Sequence, residues 1–142
     1  FDIKVDKDVM VVDDYAHHPV EVKSVISAVK NNWDRNLIVI FQPHLFSRTK
    51  EFYKEFADAL MHADKIFVTE IFASREKDDK SITSQKIVEE LINKNHKDVI
   101  SLSLVDVVDK LKSTAKKDDI ILTLGAGDIW RYSEDLGKYF DE

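Results

Sequence analysis

Val9-Met10-Val11-Val12-Asp13-Asp14-Tyr15-Ala16-His17-His18-Pro19 is the stretch on which the fold turns. An apolar, mostly β-branched run leads straight into two carboxylates, a phenol and two imidazoles. Pro19 then stands where a helix can begin, because its missing N–H costs nothing in a first turn. A continuous apolar run, rather than an alternating one, marks a strand covered on both faces. A buried strand that ends in polar residues just ahead of a helix is the opening of a βαβ unit.

The same alternation recurs along the chain. Leu37–Phe41, Ile66–Phe72, Val99–Leu102 and Ile120–Leu124 are further short apolar runs, and Phe1–Val5 is a candidate edge strand. Helical spacing lies between them. Val22, Val25, Ile26, Val29 and Trp33 form one stripe, and Phe52, Phe56, Ala59, Leu60 and Ala63 a second. Ile87, Val88, Leu91 and Ile92 form a third, and Val105, Val108, Leu111 and Ala115 a fourth; Ile129, Leu136 and Phe140 mark a last helix. The expected fold is therefore α/β: a doubly wound, mostly parallel sheet of about six strands in a single domain, 1–142. Arg75–Lys80 is expected to be an exposed loop.

Composition narrows the function. With 142 residues, a domain buries roughly 70% of its unfolded surface and needs no staple. The absence of cysteine removes disulfides, thiolate metal sites and a cysteine nucleophile. The net charge of −6 argues against nucleic acid. No apolar run reaches the roughly 18 residues of a membrane span, so no membrane partner and a cytoplasmic location are expected. The chain opens at Phe1 and is expected to be part of a longer polypeptide. It has no G-x-x-x-x-G-K-[ST] phosphate loop, so any ATP chemistry would draw on residues elsewhere.

In doubly wound folds ligands sit beyond the carboxyl ends of the strands. After the first strand, Asp13 and Asp14 could bind ribose hydroxyls or hold Mg²⁺ through water, and His17 or His18 could contact an anion. Equally, Asp14 or His18 could simply cap the helix. After the second strand, Gln42-Pro43-His44-Leu45-Phe46-Ser47-Arg48-Thr49 sets His44 and Arg48 at a helix start, with Ser47 or Thr49 as the expected N-cap. After the fifth, Gly125-Ala126-Gly127-Asp128 lets backbone N–H groups approach an anion, or merely makes a tight turn. Glu70, among apolar neighbours, is either edge-exposed or paired.

Asp14-Tyr15-Ala16-His17-His18-Pro19, the FQPHLFSRT segment and GAGDI, in this order, resemble the C-terminal domain of the Mur ligase family, in the form of its alanine-adding members. The resemblance covers essentially the whole chain. It implies an ATP-dependent, amide-bond-forming ligase that joins L-alanine to UDP-N-acetylmuramic acid in peptidoglycan precursor synthesis, with ATP and Mg²⁺. An acyl phosphate forms first and the amine then attacks it. It further implies UDP-binding and central ATPase domains ahead of this one, holding most of the ATP and Mg²⁺, so that this domain alone is inactive.

By the same resemblance Asp14 contacts the ATP ribose, and Tyr15, His17, His44 and Arg48 line the amino-acid and reacting-carboxylate site. His17 and His44 are its catalytic candidates. Gly125, Ala126 and Gly127 form the turn beside it, and no metal ligand is assigned to this domain. Leu45 replaces an arginine common in the family, which shifts the task of holding a carboxylate towards Arg48 or a backbone turn, and Ala16 replaces a commoner glycine. Three other readings remain open here. One is a murein-tripeptide recycling ligase of the same superfamily, which shares the DD-x-AHHP pattern. Another is a receiver-type signalling domain, which would need an Asp after the third strand and a Lys after the fifth. The last is a metallohydrolase built on Asp13, Asp14, His17, His18 and His44.

Overall fold

The apolar runs stack into one six-stranded sheet. The computed structural model describes residues 1–142. In chain order its elements are β1 (Asp2–Asp6), β2 (Met10–Asp14), α1 (Pro19–Asn32), β3 (Asn36–Phe41), α2 (Phe46–Leu60), β4 (Lys65–Val68), α3 (Gln85–Asn93), β5 (Val99–Ser101), α4 (Val107–Thr114), β6 (Asp119–Leu124) and α5 (Ile129–Phe140). The strand order is β1-β2-β6-β3-β4-β5. Only β1, the edge strand, runs antiparallel to its neighbour.

Side chains alternate across the sheet and feed two cores. Leu37, Val39 and Phe41 of β3, with Met10 and Val12 of β2, face α1, α2 and α3, where Ile26, Phe56, Leu60 and Leu91 are fully buried. Ile38, Ile40, Val11 and Ile121 face α4 and α5, meeting Val107, Leu111, Ile129 and Leu136. Both faces are covered, which is why β3 and β6 read as unbroken apolar runs.

The last strand, β6, inserts between β2 and β3. Three successive crossovers, through α1, α2 and α3, lie on one face of the sheet. The crossover through α4 lies on the other. The loops leaving β2 and β6 therefore part to opposite faces and open a crevice at the carboxyl edge.

Two expected elements differ. The run Ile66–Phe72 is strand only from Lys65 to Val68. Beyond Val68 the chain turns away, and Glu70 directs its carboxylate to the backbone N–H of Leu104 at 2.7 Å, leaving Phe72 to rejoin as a single bridge to His44. Val105 does not join the fourth helical stripe. It sits exposed on a 3-10 turn, Leu104–Asp106, and α4 starts at Val107.

Phe56 is fully buried and packs its ring 5.1 Å from that of Phe41. Phe56→Ala is expected to cost about 3–5 kcal/mol, read as a lower urea midpoint with an unchanged slope. A loss under about 1 kcal/mol would mean the α2 face is not the packed core described here.

Candidate functional site

Parallel register sets three strand ends level. Asp14 of β2 is paired with Leu124 of β6, and Leu124 with Phe41 of β3. The ladder continues one step past the strands: Gln42 N–H donates to Leu124 O at 2.9 Å and Gly125 N–H to Asp14 O at 3.3 Å. Thus the DDYAHHP, QPHLFSR and GAGD segments begin side by side.

On the β2 side, Asp13 is half-buried and accepts the Thr123 hydroxyl at 2.7 Å. Burial pushes its carboxyl above the usual range, against the opposing pull of Thr123 and Lys4. Asp14 Oδ1 accepts the Ala16 N–H at 2.8 Å, which turns the chain sharply, and its Oδ2 lies 2.8 Å from the backbone nitrogen of Phe1. His18, not Asp14, is the N-cap of α1, and Glu21 completes a capping box from inside the first turn, its Oε1 accepting the N–H groups of His17 at 3.2 Å and His18 at 3.0 Å. Those two bonds lower the Glu21 pKa, His17's foremost.

The rings then meet across the crevice. His17 lies 5.1 Å from Tyr15, 4.9 Å from His18 and 5.8 Å from His44, centroid to centroid. Its Nδ1 faces Tyr15 O at 2.9 Å. Arg48 reaches back from the first turn of α2 to His44 O at 3.5 Å, and no carboxylate lies within ion-pair distance of its guanidinium. His44 is held below its ordinary pKa, first by desolvation, then by the Arg48 charge and by His17, with Glu76 opposing.

The start of α2 corrects the expected cap. Neither Ser47 nor Thr49 is the N-cap: Leu45 is, at φ 74° and ψ 136°. A leucine in that region costs about 1–3 kcal/mol, offset by fixed bonds at both ends of its peptide. Its N–H donates to Phe72 O at 2.8 Å, and its carbonyl accepts from Thr49 N at 3.1 Å and Thr49 Oγ1 at 2.8 Å. Glu76, from the loop after β4, accepts the Ser47 N–H at 3.2 Å and the Ser47 hydroxyl. A carboxylate thus already occupies the end of α2, and the free cation at this rim is Arg48.

The glycine turn is as much a packing device as an anion cradle. A Cβ on Gly127 would stand 2.5 Å from Phe72 Cγ and 2.8 Å from Gln42 Oε1. Gly125, at φ 153°, would bring one 3.0 Å from Gln42 O. Ala126 lies between them, half-buried.

Two residues not singled out from the sequence emerge here. Gln42, 2% exposed, donates to Asp128 Oδ1 at 2.8 Å and accepts the Ile129 N–H at 3.2 Å, tying the β3 end to the start of α5. Phe72 stacks on His44 at 5.4 Å with 20° between the rings. A buried glutamine directly after an unbroken apolar strand was the available signal for the first. Glu70, offered as edge-exposed or paired, is both: exposed, and bonded to Leu104 N–H and the Ser103 hydroxyl.

The rival constellations do not assemble. The β4 end offers Thr69 and a Glu70 turned to Leu104, not the outward acid a receiver domain needs, and β6 runs into glycine instead of lysine. No three His, Asp or Glu side chains gather as a metal-holding group.

Fold and rim define a domain of the doubly wound α/β class, with imidazoles, one guanidinium and a glycine turn around a crevice. A family model described as Mur ligase, glutamate ligase domain, matches residues 1–127, and the chain belongs to the Mur ligase family. It is 43% identical over 131 residues to a UDP-N-acetylmuramate–L-alanine ligase of Geotalea uraniireducens, covering 92% of this chain and 29% of that protein. It is also 43% identical over 144 residues to the enzyme of that name in Caldanaerobacter subterraneus subsp. tengcongensis, covering 100% and 30%. The crystal structure of UDP-N-acetylmuramate-alanine ligase from Thermotoga maritima superposes with a TM-score of 0.74 at 26% identity, over 94% of this chain and 27% of that one. The chain spans under a third of the length of these curated relatives.

His44 should titrate below the ordinary imidazole value of 6.5. Its neutral form is favoured only in the folded state, so the unfolded chain takes up a proton first as pH falls through about 6.5, and stability drops there. Arg48→Ala is expected to raise the His44 midpoint, followed by the ring C–H signals in NMR. A midpoint that stays put or falls would separate the two side chains electrostatically.

Proposed function

We propose that the chain is the C-terminal, amino-acid-binding domain of an ATP-dependent ligase that adds L-alanine to UDP-N-acetylmuramic acid in the cytoplasm, for peptidoglycan precursor synthesis. The supporting observation is the meeting of His17, His44 and the unpaired Arg48 beside the glycine turn, in a chain 43% identical to alanine ligases.

The chemistry suits those groups. The alanine amine attacks an acyl-phosphate carbonyl, a C–N bond forms, the C–O bond to phosphate breaks, and the amine proton leaves to water. No protein nucleophile is needed; rate comes from positioning and from stabilising negative charge. Arg48 holds the alanine carboxylate, since a guanidinium grips a carboxylate in a bidentate fork. The Ala126 and Gly127 N–H groups of the glycine turn and the ring of Tyr15 wall the acceptor. His17 and His44 face the charge that grows on the reacting carboxyl.

Asp14 is the residue for the ATP ribose. One of its oxygens is fixed by Ala16 N–H at the carboxyl end of β2, which aims the carboxylate along the rim. Mg²⁺ and the phosphates fall to domains ahead of this one, because the chain gathers no metal-holding group and has no phosphate loop.

In a full-length ligase carrying this domain, Asp14→Ala or Arg48→Ala is expected to cut alanine-dependent phosphate release by at least about 100-fold, the scale of losing one orienting or charge-stabilising contact. Near-wild-type rates would remove that residue from the site. The 142-residue chain alone should form no product, and ATP-dependent alanine ligation by it would overturn the domain assignment.

A further inference from the structure

His44 is held in an unusual way for a residue at a reacting centre. Its Nδ1 is buried and has no hydrogen-bond partner, while its Nε2 is the nitrogen left open at the rim. The ring lies flat on Phe72, at 5.4 Å and 20°. Phe72 is itself wedged. Its N–H donates to Pro43 O and its carbonyl accepts from Leu45 N–H, both at 2.8 Å, so its backbone brackets His44 on either side. Its Cγ and Cδ2 press on Gly127, within 2.5 and 2.8 Å of where a Cβ would stand. One side chain thus joins the loops after β3, β4 and β6.

This packing restricts what the imidazole can be. An imidazolium carries N–H on both nitrogens, and here the Nδ1–H would find no acceptor. Of the two neutral tautomers, one buries a lone pair at Nδ1 and the other a donor. Orphaned buried N–H groups are the rarer and costlier of the two. The charged groups around the ring are Arg48 from α2, His17 from the loop after β2 and Glu76 from the loop after β4, and only Glu76 favours a proton on it.

We propose that Phe72 is a positioning residue: by stacking on His44 it holds the ring with Nδ1 turned into the interior, fixing a neutral imidazole whose Nε2–H points at the reacting carboxyl, so that His44 donates a hydrogen bond and is not a base. The proposal rests on the ligase reading for its functional half alone. A neutral donor suits a site whose negative charge grows during attack, because it stabilises that charge without losing its own proton. It also leaves Arg48 unrivalled as the cation for the alanine carboxylate.

Two measurements test it separately. In this chain labelled with ¹⁵N at histidine, long-range ¹H–¹⁵N spectra should show His44 protonated at Nε2 and bare at Nδ1 near pH 7. Phe72→Leu should blur that tautomer and raise the His44 midpoint, and Phe72→Trp should preserve both. A wild-type Nδ1–H tautomer, or a Leu variant with an unchanged midpoint and tautomer, overturns the proposal.

In the full-length ligase, Phe72→Leu is expected to lower kcat by about 10- to 100-fold with little change in the KM for alanine, the scale of a misplaced catalytic group. Phe72→Trp should restore most of the rate. Equal loss in the Leu and Trp variants, or none in Leu, overturns the positioning role. Should the full-length protein fail to ligate alanine at all, the proposed function falls while the spectra still decide the state of His44.

Discussion

The parallel pairing of β6 between β2 and β3 is the constraint on which the rim depends. Its register puts Asp14, Leu124 and Phe41 on one line across the sheet. Each strand then releases its loop at the same height. Segments separated by tens of residues along the chain become neighbours because backbone hydrogen bonds leave them little choice. The crossovers send the flanking helices to opposite faces, which opens the crevice just where those loops begin. Burial on both faces secures the register, since a slip of one residue would exchange the two cores.

Polar groups at this edge are held by neighbours rather than left to water. Asp13 is tied to Thr123, Asp14 to Ala16 N–H, Glu21 to the turn before α1, and Glu76 to the start of α2. Gln42 and Phe72 then lock the loops to one another. Two groups differ in character: Arg48 has no carboxylate partner, and His44 buries an Nδ1 that bonds to nothing. Under the proposed function such a rim would be prearranged for an anionic guest, and preorganisation of that kind is where electrostatic catalysis obtains its strength. The strained peptide at Leu45 belongs to the same arrangement, because its two ends are bonded to Phe72 and Thr49.

Much of this was legible in the letters. Runs such as Leu37–Phe41 and Ile120–Leu124 read as strands covered on both faces, and their polar sequels marked the strand ends. The edge strand at the start was readable too. What the letters could not state was neighbourhood. A continuous apolar strand does not name its partners, so the insertion of β6 was invisible. Phe72 looked like more strand because it is apolar and follows Ile71; only its bridge to His44 and its contact with Gly127 show it to be a wedge. The cap of α2 was misjudged for a similar reason. Ser47 and Thr49 have the right side chains, but the carboxylate that satisfies this helix end comes from Glu76, 29 residues beyond Ser47. Local propensity has no access to such a partner.

If the loops after β2 and β3 form one site, their side chains act together on one ligand. A double-mutant cycle between His17→Ala and Arg48→Ala, read as kcat/KM for alanine in the full-length ligase, addresses it directly. Groups that share a ligand couple, and an interaction free energy of about 1 kcal/mol or more is expected. Additivity to within about 0.3–0.5 kcal/mol would show that the two loops serve separate ends, and the shared crevice described here would not be the working site.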